Sequence, residues 1–294
     1  MGIINVFNNE IAVKDYYCAF DNNPPTKIQQ PYINIYVTLT NKCNADCQFC
    51  CNKQNCNSSI QFDEDKFLLG IKKIRESIEI RKLSFTGGEP TLEFAALAKY
   101  LKYVKDLDEN IFTVINTNGT NLSEMKHLHQ YLNSIALSRH HYDDTINQQI
   151  FGISTVASSN EIFAFPHKEI LHLSCNLMRD YIRNQDEVVK YLEYVDSLGC
   201  DDVGFVTLMK VNNYCEQQFV DFNSLNFNNT NNVFVSQDWN YYGHCRCRNY
   251  LYIANTANVI RVYARYVCNR KISEGTLVFD GMNFRQGFGG TIIL

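Results

Sequence analysis

The sequence predicts an α/β fold: a partial (β/α)6 TIM-like barrel with a small C-terminal β extension. Three observations carry this reading. Six strand-like segments lie between residues 32 and 209, and each but the last is followed by a segment of helical period before the next strand. That is too few units for a complete eight-fold barrel. The alternation stops near residue 212, and beyond it come only short β-like segments. The expected organisation is an N-terminal lead over 1–30, the barrel over 31–212 and the extension over 213–294.

The lead reads as irregular, ending in Asn22-Asn23-Pro24-Pro25. The first strand covers 32–40, where Ile33, Ile35 and Val37 alternate as a half-buried strand requires. A helix over 63–80 places Phe67, Leu68, Ile71, Ile74 and Ile78 near helical spacing. A strand at 82–86, a helix at 92–106, a strand at 111–116, a helix at 123–132 and a strand at 134–139 follow. Helical material fills 144–165, then come a strand at 170–177, a helix at 186–198 and a strand at 202–209. Residues 223–232 include six asparagines and read as a loop. The rest reads as short antiparallel β at 250–254, 259–266 and 277–279, and in the last few residues. An extension of that size has little core, so it packs on the barrel or needs a metal.

Composition narrows the function classes. The chain has 294 residues, 45% hydrophobic and 20% charged, which excludes a disordered tail protein. A net charge of −4 gives no global field for a polyanion, so a nucleic-acid partner is not expected. The longest apolar runs fall far below the roughly 20 residues of a membrane span. The first residues carry neither an export signal nor a myristoylation pattern. The expectation is a cytoplasmic protein without a membrane partner. Twelve cysteines in a reducing compartment point to metal rather than disulfides. They are dense at 43–56 and 245–268; Cys18, Cys175, Cys200 and Cys215 are scattered and read as small hydrophobes.

Cys43, Cys47 and Cys50 follow the first strand at spacing CxxxCxxC. Three thiolates on one loop can hold three corners of a four-iron cluster and leave the fourth iron to a non-protein ligand. Structural zinc wants four closed ligands, and Cys51 and Cys56 are badly spaced to complete such a site. At the end of the second strand stands Thr86-Gly87-Gly88-Glu89-Pro90. A Gly-Gly pair there opens the backbone to a ligand.

In these two motifs the sequence resembles the radical SAM superfamily, whose hallmark is CxxxCxxC followed by a GGEP-type motif. The resemblance covers roughly 30–212. It implies that Cys43, Cys47 and Cys50 bind a [4Fe–4S] cluster and that S-adenosylmethionine (SAM) chelates the fourth iron. It implies a reductive cleavage of SAM to a 5′-deoxyadenosyl radical that abstracts hydrogen from an organic substrate. Phe49 matches the position packing near the adenine, and Gly87, Gly88 and Glu89 those lining the methionine amino group. Thr117, in Thr117-Asn118-Gly119, would face the SAM site. Ser138 would touch the SAM carboxylate or ribose, and Arg139 would neutralise the carboxylate. Asn176 and Leu208 match later strand ends that close over the adenosine, although Leu208 also reads as core. His140, His141 and Tyr142 stand as substrate contacts, acid–base groups or plain structural residues. The implied partners are a small-molecule or peptide substrate and a reductant of the flavodoxin or ferredoxin type.

The second group, Cys245 and Cys247 with Cys268, flanks a predicted hairpin. Many members of the superfamily carry an auxiliary cluster in a C-terminal half-domain of this size. Here the spacing is CxC, so a second [4Fe–4S] cluster, a zinc completed by His244, and free thiols all stay open. Gly287-Phe288-Gly289-Gly290 reads as a turn. About 30 residues precede the barrel, too few for a peptide-binding winged helix or a cobalamin domain. Two rival readings stand beside this one. A non-catalytic iron–sulfur carrier has no use for Gly87-Gly88-Glu89, and a glycyl-radical activating enzyme needs a large protein partner.

Overall fold

The computed structural model describes residues 2–6, 9–13, 32–56, 58–225, 234–236, 247–265 and 275–294. It opens with β1 (Gly2–Val6) and β2 (Asn9–Val13), an antiparallel pair forming a sheet of its own. The lead expected to be irregular therefore contains a hairpin. Five-residue strands hold too few alternations for a periodicity argument to detect.

The βα run follows almost as expected: β3 (Tyr32–Thr40), α1 (Glu64–Ser77), β4 (Glu79–Gly87), α2 (Phe94–Leu107) and β5 (Phe112–Thr117). Then come α3 (Leu122–Met125), β6 (Ser134–Ser138), α4 (Asp144–Phe151), α5 (Ser159–Ala164), β7 (Leu171–Leu177), α6 (Gln185–Ser197) and β8 (Asp202–Thr207). A short α7 (Asn213–Gln218) lies just past the expected barrel end. Caps set the helix starts. Asp63, Asp143 and Asn184 each accept from a backbone N–H three residues on, and Ser158 and Glu161 form a capping box. The expected helical stretch 144–165 divides because Gly152, at φ +69°, ends α4 in a left-handed turn.

The C-terminal segment supplies β9 (Phe234–Ser236), β10 (Arg248–Ile253), β11 (Val259–Arg265), β12 (Thr276–Phe279) and β13 (Phe284–Gln286). All belong to one 11-stranded sheet of order β13-β12-β3-β4-β5-β6-β7-β8-β11-β10-β9. β3 to β8 run parallel in chain order, forming the α/β partial TIM-like barrel. The expected antiparallel pairing holds for β10–β11 and β12–β13. It fails at the two joins, where β11 lies parallel on β8 and β12 parallel on β3. Each open edge of a parallel sheet exposes unpaired backbone groups, and these two strands cover them. The Gly287–Gly290 turn returns the chain so that Gln286 N–H donates to Thr291 O at 3.0 Å.

Strand alternation sorts the side chains. Ile33, Ile35, Val37, Leu83, Phe85, Ile135, Leu137, Leu173 and Phe205 are fully buried in one large apolar core. The opposite face of the same strands carries Asn34, Tyr36, Ser84, Asn116, Ser134, His172 and Ser174, which line a common cavity. The carboxyl ends of the strands rise above it.

Candidate functional site

The first cysteine loop leaves β3 at its carboxyl end. Cys43, Cys47 and Cys50 line one pocket, and Gly87 and Gly88 from the end of β4 line the same pocket. Cys56 joins them there, a thiol that spacing alone left out.

The contact between the two motifs is backbone on backbone. Gly88 N–H donates to Thr40 O at 2.7 Å, and Glu89 N–H donates to Lys42 O at 2.8 Å. A Cβ on Gly88 would fall 2.1 Å from Lys42 O, and one on Gly87 would fall 2.3 Å from Thr40 O. Gly87 also has φ +123°, a conformation that glycine alone adopts readily. The glycines therefore let the β4 end pass directly under the residues that lead into Cys43.

Glu89 is buried, with only 1% of its surface exposed. Its Oε1 accepts from Thr91 N at 3.1 Å, Thr91 Oγ1 at 2.6 Å and Thr117 Oγ1 at 2.7 Å, and its Oε2 from Asn118 N at 2.7 Å. Burial raises its carboxyl above the usual range, while these hydrogen bonds pull it down. Thr117 thus reaches Glu89, and its Oγ1 also accepts from Gly119 N at 3.0 Å. Asn118 Nδ2 continues to Asn44 Oδ1 at 2.9 Å, and Asn44 Nδ2 donates to Thr120 Oγ1 at 2.8 Å. One network joins the cysteine loop to the ends of β4 and β5.

The far side of the loop is held as firmly. Asp46 N–H donates to Phe151 O at 2.9 Å. Asn212, the N-cap of α7, donates from Nδ2 to Gln48 O at 3.0 Å while its Oδ1 accepts from Cys215 N at 2.9 Å. Sequence reasoning missed Asn44, Asn118 and Asn212. The signal available for Asn212 was its place three residues before Cys215 at a helix start.

Phe49 packs edge-on against His140, with ring centroids 4.9 Å apart, and His140 stacks on Phe151. His140 N donates to Asn147 Oδ1, and its Nδ1 accepts from Asn176 N at 3.1 Å. Burial, with Arg139 beside it, lowers His140 to about 3 and keeps the ring neutral. Ser138 and Asn176 sit at the carboxyl ends of β6 and β7, which pair Ser138 with Ser174. Leu208 lies in a small apolar cluster with Ile150, Met178 and Cys215, against which Phe49 packs.

Arg139 is a correction. Its guanidinium is buried on the helix side of the sheet, donating to Ala157 O at 3.0 Å and to Asp144 Oδ1 at 2.5 Å. It follows Ser138 by one residue, and strand alternation turns it to the opposite face. It holds α4 and α5 on the sheet and does not reach the pocket.

Burial dominates the cysteine chemistry. It pushes Cys47 up to about 12, with Cys50 and Cys43 as neighbouring charges adding to the shift. Cys43 and Cys50 rise for the same first cause. Half-buried thiols of this kind lose their protons to a metal that supplies the compensating charge. Among the described residues no three His, Cys, Asp or Glu side chains are arranged around a single metal ion. Thiols that serve separate corners of a cluster need not converge on one point. Three thiols facing a side-chain-free Gly-Gly edge fit a [4Fe–4S] cluster with one corner left to another ligand.

In the second group, Cys245 and Cys268 lie outside the described residues, as does His244. Cys247 is buried at the start of β10. The pairing of Arg248 with Ala264 brings that end beside the end of β11, three residues short of Cys268. Among the described residues no helix is long and apolar enough to cross a membrane.

The family model described as the Radical SAM superfamily matches residues 37–222. Among curated proteins, the "Probable GTP 3′,8-cyclase" of Saccharolobus islandicus (strain Y.N.15.51 / Yellowstone #2) is 25% identical over 191 residues, covering 62% of this chain and 59% of that protein. The chain therefore spans about three-fifths of that relative's length. YydG of Bacillus subtilis (strain 168), named as a candidate peptide biosynthesis protein, is 28% identical over 109 residues, 35% of this chain and 34% of that protein. Among solved structures, Streptococcus suis SuiB bound to precursor peptide SuiA superposes with a TM-score of 0.50 at 16% identity, covering 65% of this chain and 42% of that one. At that identity the likeness is one of fold.

Proposed function

The chain belongs to the radical SAM superfamily, and we propose that it is an enzyme that cleaves SAM reductively and abstracts hydrogen from an organic substrate. The observation that carries this reading is the pocket shared by Cys43, Cys47, Cys50, Gly87 and Gly88. In the proposal, residues 31–212 carry the SAM chemistry, with 1–30 as a lead and 213–294 as an extension. Cys43, Cys47 and Cys50 hold a [4Fe–4S] cluster, and the Gly87-Gly88 backbone faces the methionine end of SAM. Together, when bound, the cluster and SAM supply a 5′-deoxyadenosyl radical. Phe49, braced by His140, offers an apolar edge to the adenine. Ser138 and Asn176 present polar groups at the strand ends. Glu89 lines the methionine amino group and Thr117 faces the SAM site, and the hydrogen bond between them also fixes the Gly-Gly edge against the β5 turn. The substrate is a small metabolite or a peptide side chain, and electrons come from a flavodoxin- or ferredoxin-type partner.

The decisive experiment is anaerobic incubation of reconstituted protein with reductant, SAM and candidate substrates. 5′-Deoxyadenosine that acquires deuterium from a labelled substrate is the expected result. Reconstituted protein that binds iron yet forms no 5′-deoxyadenosine under reduction overturns the proposal.

A further inference from the structure

A fourth thiol stands at the candidate cluster pocket. Cys56 lines it together with Cys43, Cys47 and Cys50, and so do Gly87 and Gly88. Cys51, the neighbour of Cys50, is exposed and is not among the lining residues. The pocket therefore separates two cysteines that spacing treats alike. Burial comes first in raising the Cys43 and Cys50 thiols, and a charge on Cys56 adds to both. Cys56 thus lies within electrostatic reach of two of the three proposed cluster ligands.

The turn that carries Cys56 is latched on both sides to a single side chain. Asn41 Oδ1 accepts from Asn52 Nδ2 at 3.3 Å, and Asn41 Nδ2 donates to Ser58 Oγ at 2.8 Å. Cys56 lies in sequence between these two anchors, and Asn41 and Asn52 themselves line the pocket. Within the turn, Asn55 Nδ2 donates to Asn52 Oδ1 at 3.0 Å and Cys56 N–H to Lys53 O at 3.2 Å. Ser58 Oγ donates to Asn55 O at 2.7 Å. Lys53 Nζ lies 2.9 Å from Asp46 Oδ1, which ties the turn to the cysteine loop. Asn41 stands two residues before Cys43, so loop and turn share one anchor. A thiol already held at the pocket loses little further freedom on reaching a metal there.

We propose that Cys56 is the resting ligand of the cluster's fourth iron, closing that corner without SAM and yielding it when SAM binds. The inference rests on the radical SAM reading above and adds to it a gate on the open corner. Four thiolates are the usual complement of such a cluster, and this pocket offers four thiols. The exchange balances without an outside acid or base. The amino group of SAM arrives as an ammonium and sheds one proton to coordinate iron. The departing Cys56 thiolate takes up one proton as it leaves, and no electron moves. Apparent SAM affinity is then lowered by the fraction of chains whose corner Cys56 keeps closed.

The test uses the full chain reconstituted anaerobically with isotopically enriched iron, as wild type, Cys56→Ala, Cys56→Ser and Cys51→Ala. Mössbauer spectra are recorded without and with SAM, and SAM affinity is measured by equilibrium dialysis. Spectra are compared as differences, in which any second metal centre cancels. Adding SAM to wild type should move about one iron per chain from all-sulfur to mixed ligation. Cys56→Ala should show that same change before SAM is added, and should bind SAM at least threefold more tightly. Cys51→Ala should match wild type in both measurements. A SAM-free spectrum and SAM affinity in Cys56→Ala identical to wild type overturn the inference. If Cys56→Ala does not fold, the isosteric Cys56→Ser, with oxygen in place of sulfur, decides by the same SAM-free difference. SAM that alters neither wild type nor Cys56→Ala sinks the radical SAM proposal instead, and the SAM-free difference still decides this one.

Discussion

Gly88→Ala is the perturbation that best exposes how the site is built. The added Cβ would stand 2.1 Å from Lys42 O, 2.6 Å from Lys42 C and 2.8 Å from Asn41 C. All three are backbone atoms, so no side chain can swing away. Ordinary carbon contacts begin near 3.5 Å, which requires the two segments to part by roughly 1 Å. That separation breaks or weakens the hydrogen bonds from Gly88 N to Thr40 O and from Glu89 N to Lys42 O, now 2.7 and 2.8 Å. Overpacking costs about 1–3 kcal/mol, and two weakened hydrogen bonds add about 1–3 kcal/mol. A loss of about 3 kcal/mol shifts a urea midpoint by roughly 1 M or more. Lys42 immediately precedes Cys43, so the strain also reaches the cluster loop. Gly88→Ala should therefore lower both the urea midpoint and the iron bound on reconstitution, and not SAM affinity alone. Gly199→Ala, with nothing within 4 Å of its Cβ, pays only for a left-handed φ and should keep its iron. A Gly88→Ala protein with the wild-type midpoint and about four irons at the first site would refute this account.

Cys43→Ala, Cys47→Ala and Cys50→Ala should each abolish the cluster's visible absorbance and reductive SAM cleavage, while Cys51→Ala and Cys56→Ala keep both. Arg139→Met should cost about 2–4 kcal/mol in urea unfolding, because Ala157 O loses a donor and Asp144, left with Ser159 alone, loses its counter-charge; SAM affinity should stay within twofold, and a tenfold loss in a folded variant would return Arg139 to the cofactor. His140 is neutral in the fold at about 3 against an ordinary 6.5. The unfolded chain therefore binds the proton first, so stability is complete above 6.5 and falls as pH drops toward 3, by a total on the order of 4–5 kcal/mol. Urea midpoints at pH 7, 6 and 5 should show this slope in wild type and a flatter one in His140→Gln; identical slopes would remove His140 from the explanation. For the second cysteine group the expectation is a metal centre. Metal analysis should show close to eight irons, or about four irons and one zinc, per chain, with the excess lost in Cys245→Ala/Cys247→Ala. Four irons and no change in that variant would make these thiols bystanders.

The barrel was legible because its signals are local. Ile33, Ile35 and Val37 announce β3 by alternation, and Phe67, Ile71 and Ile74 announce α1 by their period. The cysteine and Gly-Gly motifs were legible as a pair because each ends a strand of the same sheet. What stayed hidden depends on distance in sequence. The parallel joins of β11 to β8 and β12 to β3 link residues separated by about 60 and 240 positions, and no periodicity reports such a pairing. Arg139 was misplaced for a different reason. Its neighbour Ser138 does face the lumen, but a one-residue step along a strand reverses the face.

The network around Glu89 explains why the two motifs act as one unit. Glu89 N–H holds Lys42, its carboxylate holds Thr91, Thr117 and the Asn118 N–H, and Asn118 holds Asn44. The chain of bonds starts and ends on the residues that flank Cys43. A loop fixed at both ends before any metal arrives loses little further freedom when it binds one. In this arrangement one buried carboxylate helps to set the position of both the thiols and the glycines. Its burial protects those bonds from water. An exposed Glu89 would share its lone pairs with water, and the strand ends it joins would be free to drift apart.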